Sequence, residues 1–358
     1  MATASEPIAS TAVTPATQPG GSWIDRLIAW LEARPGPAWM TYLGLAVIGL
    51  IAGNAIPWLD GKPLQLDAYY SVFGLFPLLE LLIIRHLDRV AADALIAFRP
   101  LLQRDDESFR DLLRRITTVP ATQAAVAGGF WVTGGLWATL TDLEAHRMSG
   151  VSAGAAALTL AIEVPINLLL AMFLLKATRH FLDVERVHRE APRIDLLEPA
   201  PLYGFARLTS QTALGLLLIT AVLIPSLAPT YFVDALEFTR LNFVVMIATL
   251  VSGAVAIFVL PLYGMHRRIV AEKERLQGAN GTRLTAVLGE LEQDVRTGEL
   301  GRADGLNKQL ASVLAERDLL AKLPTWPWQA ATLRAFVSAL LLPVLVYVLA
   351  RAAERVVL

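Results

Sequence analysis

The sequence predicts an all-α, polytopic membrane protein with seven transmembrane helices. Three observations predict it: an apolar composition, windows of membrane-crossing length that recur seven times, and a Lys/Arg count that alternates from one connecting loop to the next. Of 358 residues, 55% are hydrophobic and 18% charged, and the mean hydropathy is +0.51, which is more apolar than water-soluble domains of this length. Crossing about 30 Å of hydrocarbon at ~1.5 Å per residue takes roughly 20 residues. Such windows run over Trp39 to Trp58, Leu66 to Ile84, Val119 to Leu140, Val151 to Leu175, Leu208 to Leu227, Leu241 to Tyr263 and Leu333 to Ala350.

Orientation follows from the basic residues. Residues 85 to 118 hold seven Arg, residues 176 to 207 hold six Lys or Arg, and residues 266 to 328 hold ten, whereas the alternate loops hold one each: Lys62, Arg147 and Arg240. Cytoplasmic loops carry the excess of Lys and Arg. The amino terminus is therefore expected inside and, with seven crossings, the carboxyl terminus outside, in a multi-pass protein of the plasma or inner membrane whose first partner is the lipid bilayer. Arg351 and Arg355 in the short tail mildly oppose this.

The elements follow in order. Residues 1–22 have neither a basic start nor an apolar run and read as a disordered Ala/Ser/Thr/Pro tail. Residues 23–34 form an interfacial amphipathic helix, with Trp23, Leu27, Ile28, Trp30 and Leu31 opposite Asp25, Arg26 and Glu32. Pro35-Gly36-Pro37 breaks it before a six-helix bundle over 39–264. Spans two, four and six continue inward as amphipathic helices; Leu87, Val90, Ala91, Ala94, Leu95 and Phe98 carry the pattern after the second. Asp105, Asp106 and Ser108 start a short helix that ends at Arg114 and Arg115, where the dipole favours cations. Residues 265–328 read as a cytoplasmic hairpin or anchor. A turn is expected at Gly278 to Gly281, then a stripe of Leu284, Val287, Leu288, Leu291 and Val295, a second turn at Gly298 to Gly305, and a facing stripe of Leu306, Leu310, Val313 and Leu320 near a 3.5-residue, coiled-coil-like spacing. Pro324 and Pro327 stop that helix, Trp326 and Trp328 mark the membrane interface, and residues 329–358 hold the seventh span.

Ionisable residues inside a span are functional candidates because burying them is costly. Glu163 falls near the middle of the fourth span, with Thr159 and Asn167 on the same helical face, and Pro165 removes a hydrogen-bond donor from the carbonyl of Ala161. The three residues form a candidate pocket or ion-coordinating point; an interhelical hydrogen bond is the competing reading. Glu80, with Arg85 and His86 nearby, reads as a snorkelling interfacial ion pair. In the third span Gly128-Gly129 and Gly134-Gly135 admit a close neighbour helix. Ser338, Leu341, Leu342 and Leu345 of the last span are pore-lining candidates for a constriction that is mostly apolar.

Nothing recommends an enzyme: HExxH, GxSxG, P-loop and dinucleotide signatures are missing from the sequence. There is no cysteine, and the five His show no metal-ligand spacing, so neither metal nor other cofactor is expected. Each His sits in a loop or at a helix end, where a solvated imidazole is ordinary. The basic loops are interleaved with Asp and Glu, which points away from nucleic acid.

Seven spans, an inner amino terminus, long inward extensions of the even-numbered helices and a last helix split into residues 306–323 and 333–350 make a layout that resembles the seven-transmembrane ion channels of insect odorant and gustatory receptors, here as a prokaryotic relative. The resemblance is one of topology; the Thr-Tyr and Gln-Phe pairs of the gustatory last helix have no counterpart in TLRAFVSALLLPVLVYVLA. It implies a homo-oligomer, tetrameric by preference, with Leu306, Leu310, Val313 and Leu320 in a cytoplasmic anchor, the last helix lining a central pore, and a small-molecule ligand or ion of unknown identity. The expected function is thus an oligomeric channel or channel-like chemoreceptor. The alternatives are a secondary transporter with Glu163 as proton or cation site, and a non-conducting sensor or scaffold that signals through the hairpin.

Overall fold

Apolar periodicity in this chain is overwhelmingly that of helices, and the computed structural model, which describes residues 21–141, 143, 148–190, 196, 200–232, 237–298, 300–341 and 345, is all-helical. No strand occurs among the described residues; one isolated bridge joins Gly21 and Pro120. Among the described residues ten α-helices follow in order: α1 Trp23–Glu32, α2 Ala38–Leu59, α3 Ala68–Phe98, α4 Asp106–Thr117, α5 Ala121–Thr141, α6 Ala153–Glu190, α7 Ala200–Phe232, α8 Glu237–Thr297, α9 Ala303–Lys322 and α10 Ala330–Leu340. Among the described residues five segments are long and apolar enough to cross a membrane: Ala38–Leu59, Ala68–Leu101, Ala153–Glu190, Pro201–Val222 and Val251–Thr297. The expected third span coincides with helix α5, which is not among those five. Of the expected seventh, the part from Leu333 to Leu340 belongs to α10, and Leu342 to Val344 and everything after Leu345 lie outside the described residues.

The chain divides into two compact units, one of residues 1–86 and 117–176, the other of residues 87–116 and 177–358. In the first, α2 and α3 cross backbone to backbone. A Cβ on Gly74 would overlap the Gly49 carbonyl oxygen and stand 2.9 Å from its carbon, and one on Gly53 would stand 3.0 Å from the Tyr70 carbonyl carbon. Only hydrogen at these positions allows so close an approach. Above the crossing Asn54, fully buried, donates to Ser71 Oγ at 2.9 Å and accepts from the Asp67 amide at 2.7 Å, so one side chain closes the loop between the helices. A core of Ile56, Tyr70, Ala155 and Ile162, with Phe73 and Leu158 against it, joins α2, α3 and α6.

Helix α1 belongs to the same unit, and its inward face is not the one the sequence suggests. Ile24, Ile28 and Leu31 are buried, whereas Trp30 is exposed with the Arg34 guanidinium 3.9 Å above its ring. The helix packs on protein through its aliphatic stripe and turns Trp30 outward. Sorting its residues by hydrophobicity alone merged the two faces.

In the second unit α7 packs along α8, with Phe205, Leu208, Leu217, Phe258, Leu262 and Met265 buried. Gly204 lets α7 meet the later part of α3 at Ala94, whose Cα would lie 3.0 Å from a Cβ at that glycine. The expected turn at 278 to 281 is not made: α8 runs through it for 61 residues, about 90 Å of helix. Gly278 and Gly281 are tolerated inside a helix, and Asn280, buried to 1% exposure, donates to the Val313 carbonyl at 3.1 Å. The hairpin itself is present, turning at Gly298, which takes φ +72°. Arg302 to Asp294 at 2.7 Å and Arg283 to Glu316 at 2.9 Å tie its arms.

Candidate functional site

Of the three residues expected to form a polar pocket, the structure gives each a different partner. Thr159 Oγ1 donates back to the Ala155 carbonyl at 2.9 Å, so its hydroxyl is used within its own helix. Asn167 Nδ2 donates to the Glu163 main-chain carbonyl at 3.0 Å. The Glu163 carboxyl, 7% exposed, reaches across to α5, where Thr139 Oγ1 donates to Oε2 at 2.8 Å. Thr139 is the residue the sequence reading missed. Gly128, Gly135 and Thr139 follow at seven- and four-residue steps, so one face of α5 holds both the small residues and the hydroxyl. A Cβ on Gly135 would stand 2.5 Å from Asn167 Cγ, and one on Gly128 2.9 Å from a Leu168 methyl, so this face is cut to fit α6. The result is a buried carboxyl with a hydroxyl donor on a tightly packed helix pair. No group of three or more His, Cys, Asp or Glu suited to a metal occurs among the described residues.

Glu80 departs from the expected snorkelling pair. It is fully buried and neither carboxyl oxygen has a hydrogen-bond partner, while Arg85 pairs with Glu32 of α1 at 2.7 Å and stands over the Tyr42 ring. Helical phase explains the difference. Five residues turn a helix by about 140° from the starting direction, so Glu80 and Arg85 project to different sides of α3. An unpartnered carboxyl inside an apolar helix is costly and marks a second functional candidate.

Two histidines that were expected in solvent are also buried. His188 lies past the apolar run of α6, roughly 20 Å beyond Leu175 along the helix. Its ring, 2% exposed with both nitrogens unpartnered, stands edge-on to Phe98 at 5.6 Å and to Phe205 at 5.0 Å. Burial, and then the positive charge of Arg268, whose guanidinium donates to the His188 carbonyl, depress its pKa to about 3. His180 approaches the Ile116 carbonyl at 3.2 Å.

The Pro-Trp-Pro-Trp link is a joint. Rings stack in series: His266 on Trp326 at 4.0 Å, Trp326 on Trp328 at 4.3 Å, Trp328 on Phe258 at 5.1 Å, and Phe258 against Phe336 at 4.3 Å. His266 Nδ1 contacts the Thr325 carbonyl at 2.7 Å, and Lys273 caps the end of α9 by donating to the carbonyls of Ala321 and Leu323 at 2.9 and 2.7 Å. The expected interface markers Trp326 and Trp328 are thus members of a ladder that fastens α10 to α8. Phe336 is the buried residue of α10, whereas Leu333, Val337 and Ser338 in the helix, Leu341 at its end and Leu345 beyond it are exposed. Of the four pore-lining candidates, Leu342 lies outside the described residues. Among the anchor candidates, Leu306 and Leu320 are buried and Leu310 and Val313 half-buried in the hairpin, whereas the large apolar side chains of Leu288, Val295, Leu314 and Leu319 are exposed. The chain matches no family model, no curated protein and no solved structure, so its own residues are what its function is read from.

Proposed function

We propose that this protein is an oligomeric, channel-like protein of the plasma or inner membrane. Seven crossings run from an inner amino terminus to an outer carboxyl terminus, and copies of the last helix face one another. The observation that carries the reading is the exposure of Val337 and Ser338 on α10, of Leu341 at its end and of Leu345 beyond it, while Phe336 is held in the aromatic ladder. Exposed apolar side chains at the end of a helix so firmly held suit a neighbouring helix in a fixed position. The ladder then couples any displacement of the α8–α9 hairpin to α10, and a stripe of Leu around an axis gates by wetting and dewetting.

The chain has no native cysteine, so Leu341→Cys introduces a unique thiol. The expected results are a disulfide between copies under mild oxidation, a stoichiometry above one by native mass spectrometry, and current in planar bilayers. A monomer that neither cross-links at Leu341→Cys nor conducts would overturn the proposal. The buried Glu163 carboxyl favours a second reading, a secondary transporter. Uptake driven by an ion gradient and abolished in Glu163→Gln, with no single-channel current, would replace the first reading with this one.

A further inference from the structure

Helix α1 carries a carboxylate into the protein. Asp25 Oδ1 lies 3.4 Å from Lys176 Nζ, and Oδ2 accepts from the Val119 amide at 3.1 Å and from the Ser22 amide and hydroxyl at 2.9 and 2.8 Å. The Ser22 contacts are the helix's own capping box. The other two donors are remote in sequence and belong to the body against which α1 packs. Lys176 is 2% exposed, and its ammonium also donates to the Thr117 carbonyl at 3.0 Å. A cation so deeply buried is costly unless an anion meets it. Without α1, the body would present an ammonium and an amide N–H converging on the place of a carboxylate, which are the donors that phosphate and carboxylate groups take.

The helix that fills this place is short and lightly held. It has ten residues, buries three aliphatic side chains, and pairs Glu32 with Arg85 at its far end. It leads into α2 through Pro35-Gly36-Pro37, where Gly36 at φ +107° has no atom near the position of a Cβ.

We propose that Lys176 and the Val119 amide form an anion-binding site for a phosphate- or carboxylate-bearing ligand, and that α1 fills it in cis with Asp25. The docked helix and an external anion compete for the same donors, so binding one releases the other. Lys176 ends the apolar run of α6, the depth at which lipid headgroups lie, so a headgroup phosphate and a free phosphate share the chemistry the site asks for. The proposal stands independently of the pore reading.

The test uses the full chain in uncharged detergent. Asp25→Asn keeps the shape of the side chain and removes its charge. The expected result is a Tm several degrees below wild type that inorganic phosphate restores saturably, while the wild-type Tm does not move over the same range and Asp25→Asn/Lys176→Met does not respond. Nanodiscs of phosphatidylcholine with and without phosphatidylglycerol distinguish the source: restoration by the anionic lipid without free phosphate assigns a headgroup, and restoration by inorganic phosphate alone assigns a soluble anion. No response in Asp25→Asn, an equal response in wild type, or a response that survives Lys176→Met overturns the proposal. Should Asp25→Asn fail to fold, maleimide labelling of Ile28→Cys decides instead. Phosphate at about ten times its Kd should speed labelling roughly tenfold as α1 is displaced, and an unchanged rate overturns the proposal.

Discussion

Replacing Gly74 by Ala tests whether the α2–α3 crossing is as close as the structure has it. The new Cβ would overlap the Gly49 carbonyl oxygen and stand 2.9 Å from its carbon and 3.0 Å from Gly53 Cα. All three are backbone atoms that no rotamer change can move. Ordinary C···O approaches are ~3.3 Å, so the helices must part by about 1 Å. Overpacking of this kind costs about 1–3 kcal/mol. Parting the helices also stretches the Asn54–Ser71 hydrogen bond, at 2.9 Å, and the Asp67–Asn54 bond, at 2.7 Å, just beyond the crossing. Each is worth about 0.6 kcal/mol or more inside a membrane protein. The sum is about 2–4 kcal/mol. Gly129→Ala is the control: nothing lies within 4 Å of its Cβ position, and an added methyl in a helix gains about 0.5–1 kcal/mol. Thermal unfolding in detergent should place Gly74→Ala several degrees below wild type and Gly129→Ala at or above it. Equal Tm values for the two would show that α2 and α3 do not cross at these glycines.

Three further perturbations follow from single buried groups. Thr139→Val removes the hydroxyl that serves Glu163 while keeping its volume; it should lower stability by about 1–2 kcal/mol in chemical denaturation, and Glu163→Gln, which can still accept from Thr139, should cost less. His188 titrates near 3 when folded and at its ordinary 6.5 when unfolded. The unfolded chain therefore binds the extra proton between these values, and stability is full above pH 6.5 and falls as the pH drops toward 3. From pH 7.5 to 5 the loss is about 2 kcal/mol, and a comparison of Tm at the two pH values should show that share missing in His188→Leu. Glu80→Met should raise the Tm, against the usual direction for a core substitution, because it replaces a carboxyl without partners by an apolar chain of similar length, a gain of about 1–3 kcal/mol; a lower Tm would mean that Glu80 is satisfied.

Several features were legible because they depend on residues near one another in the chain. The continuation of α3 and α6 past their apolar runs, the boundaries of α4 and the hairpin turn at Gly298 follow from apolar spacing, acidic starts and basic ends. The Glu163 site was half legible. A carboxyl in an apolar run announces itself, but its partner Thr139 lies 24 residues away on another helix. Nothing local separates that threonine from Thr133 or Thr141; the face it shares with Gly128 and Gly135 was the available signal. The turn expected at 278 to 281 failed because Gly and Asn lower helix propensity only by about 1 kcal/mol or less each, and packing of Asn280 against α9 outweighs that.

By itself the sequence determined that the chain is helical, with segments long and apolar enough to cross a membrane, and where most of its helices run, because hydropathy and 3.6-residue periodicity are written in consecutive residues. Tertiary structure decided which of those groups are paired. It gave Arg85 to Glu32 and left Glu80 alone, drew Asp25 in to Lys176, and put two tryptophans expected to mark the membrane interface into a stacked joint. The reason is that pairing depends on the rotation and approach of helices distant in sequence, which a difference of one residue in helical phase, about 100°, is enough to change.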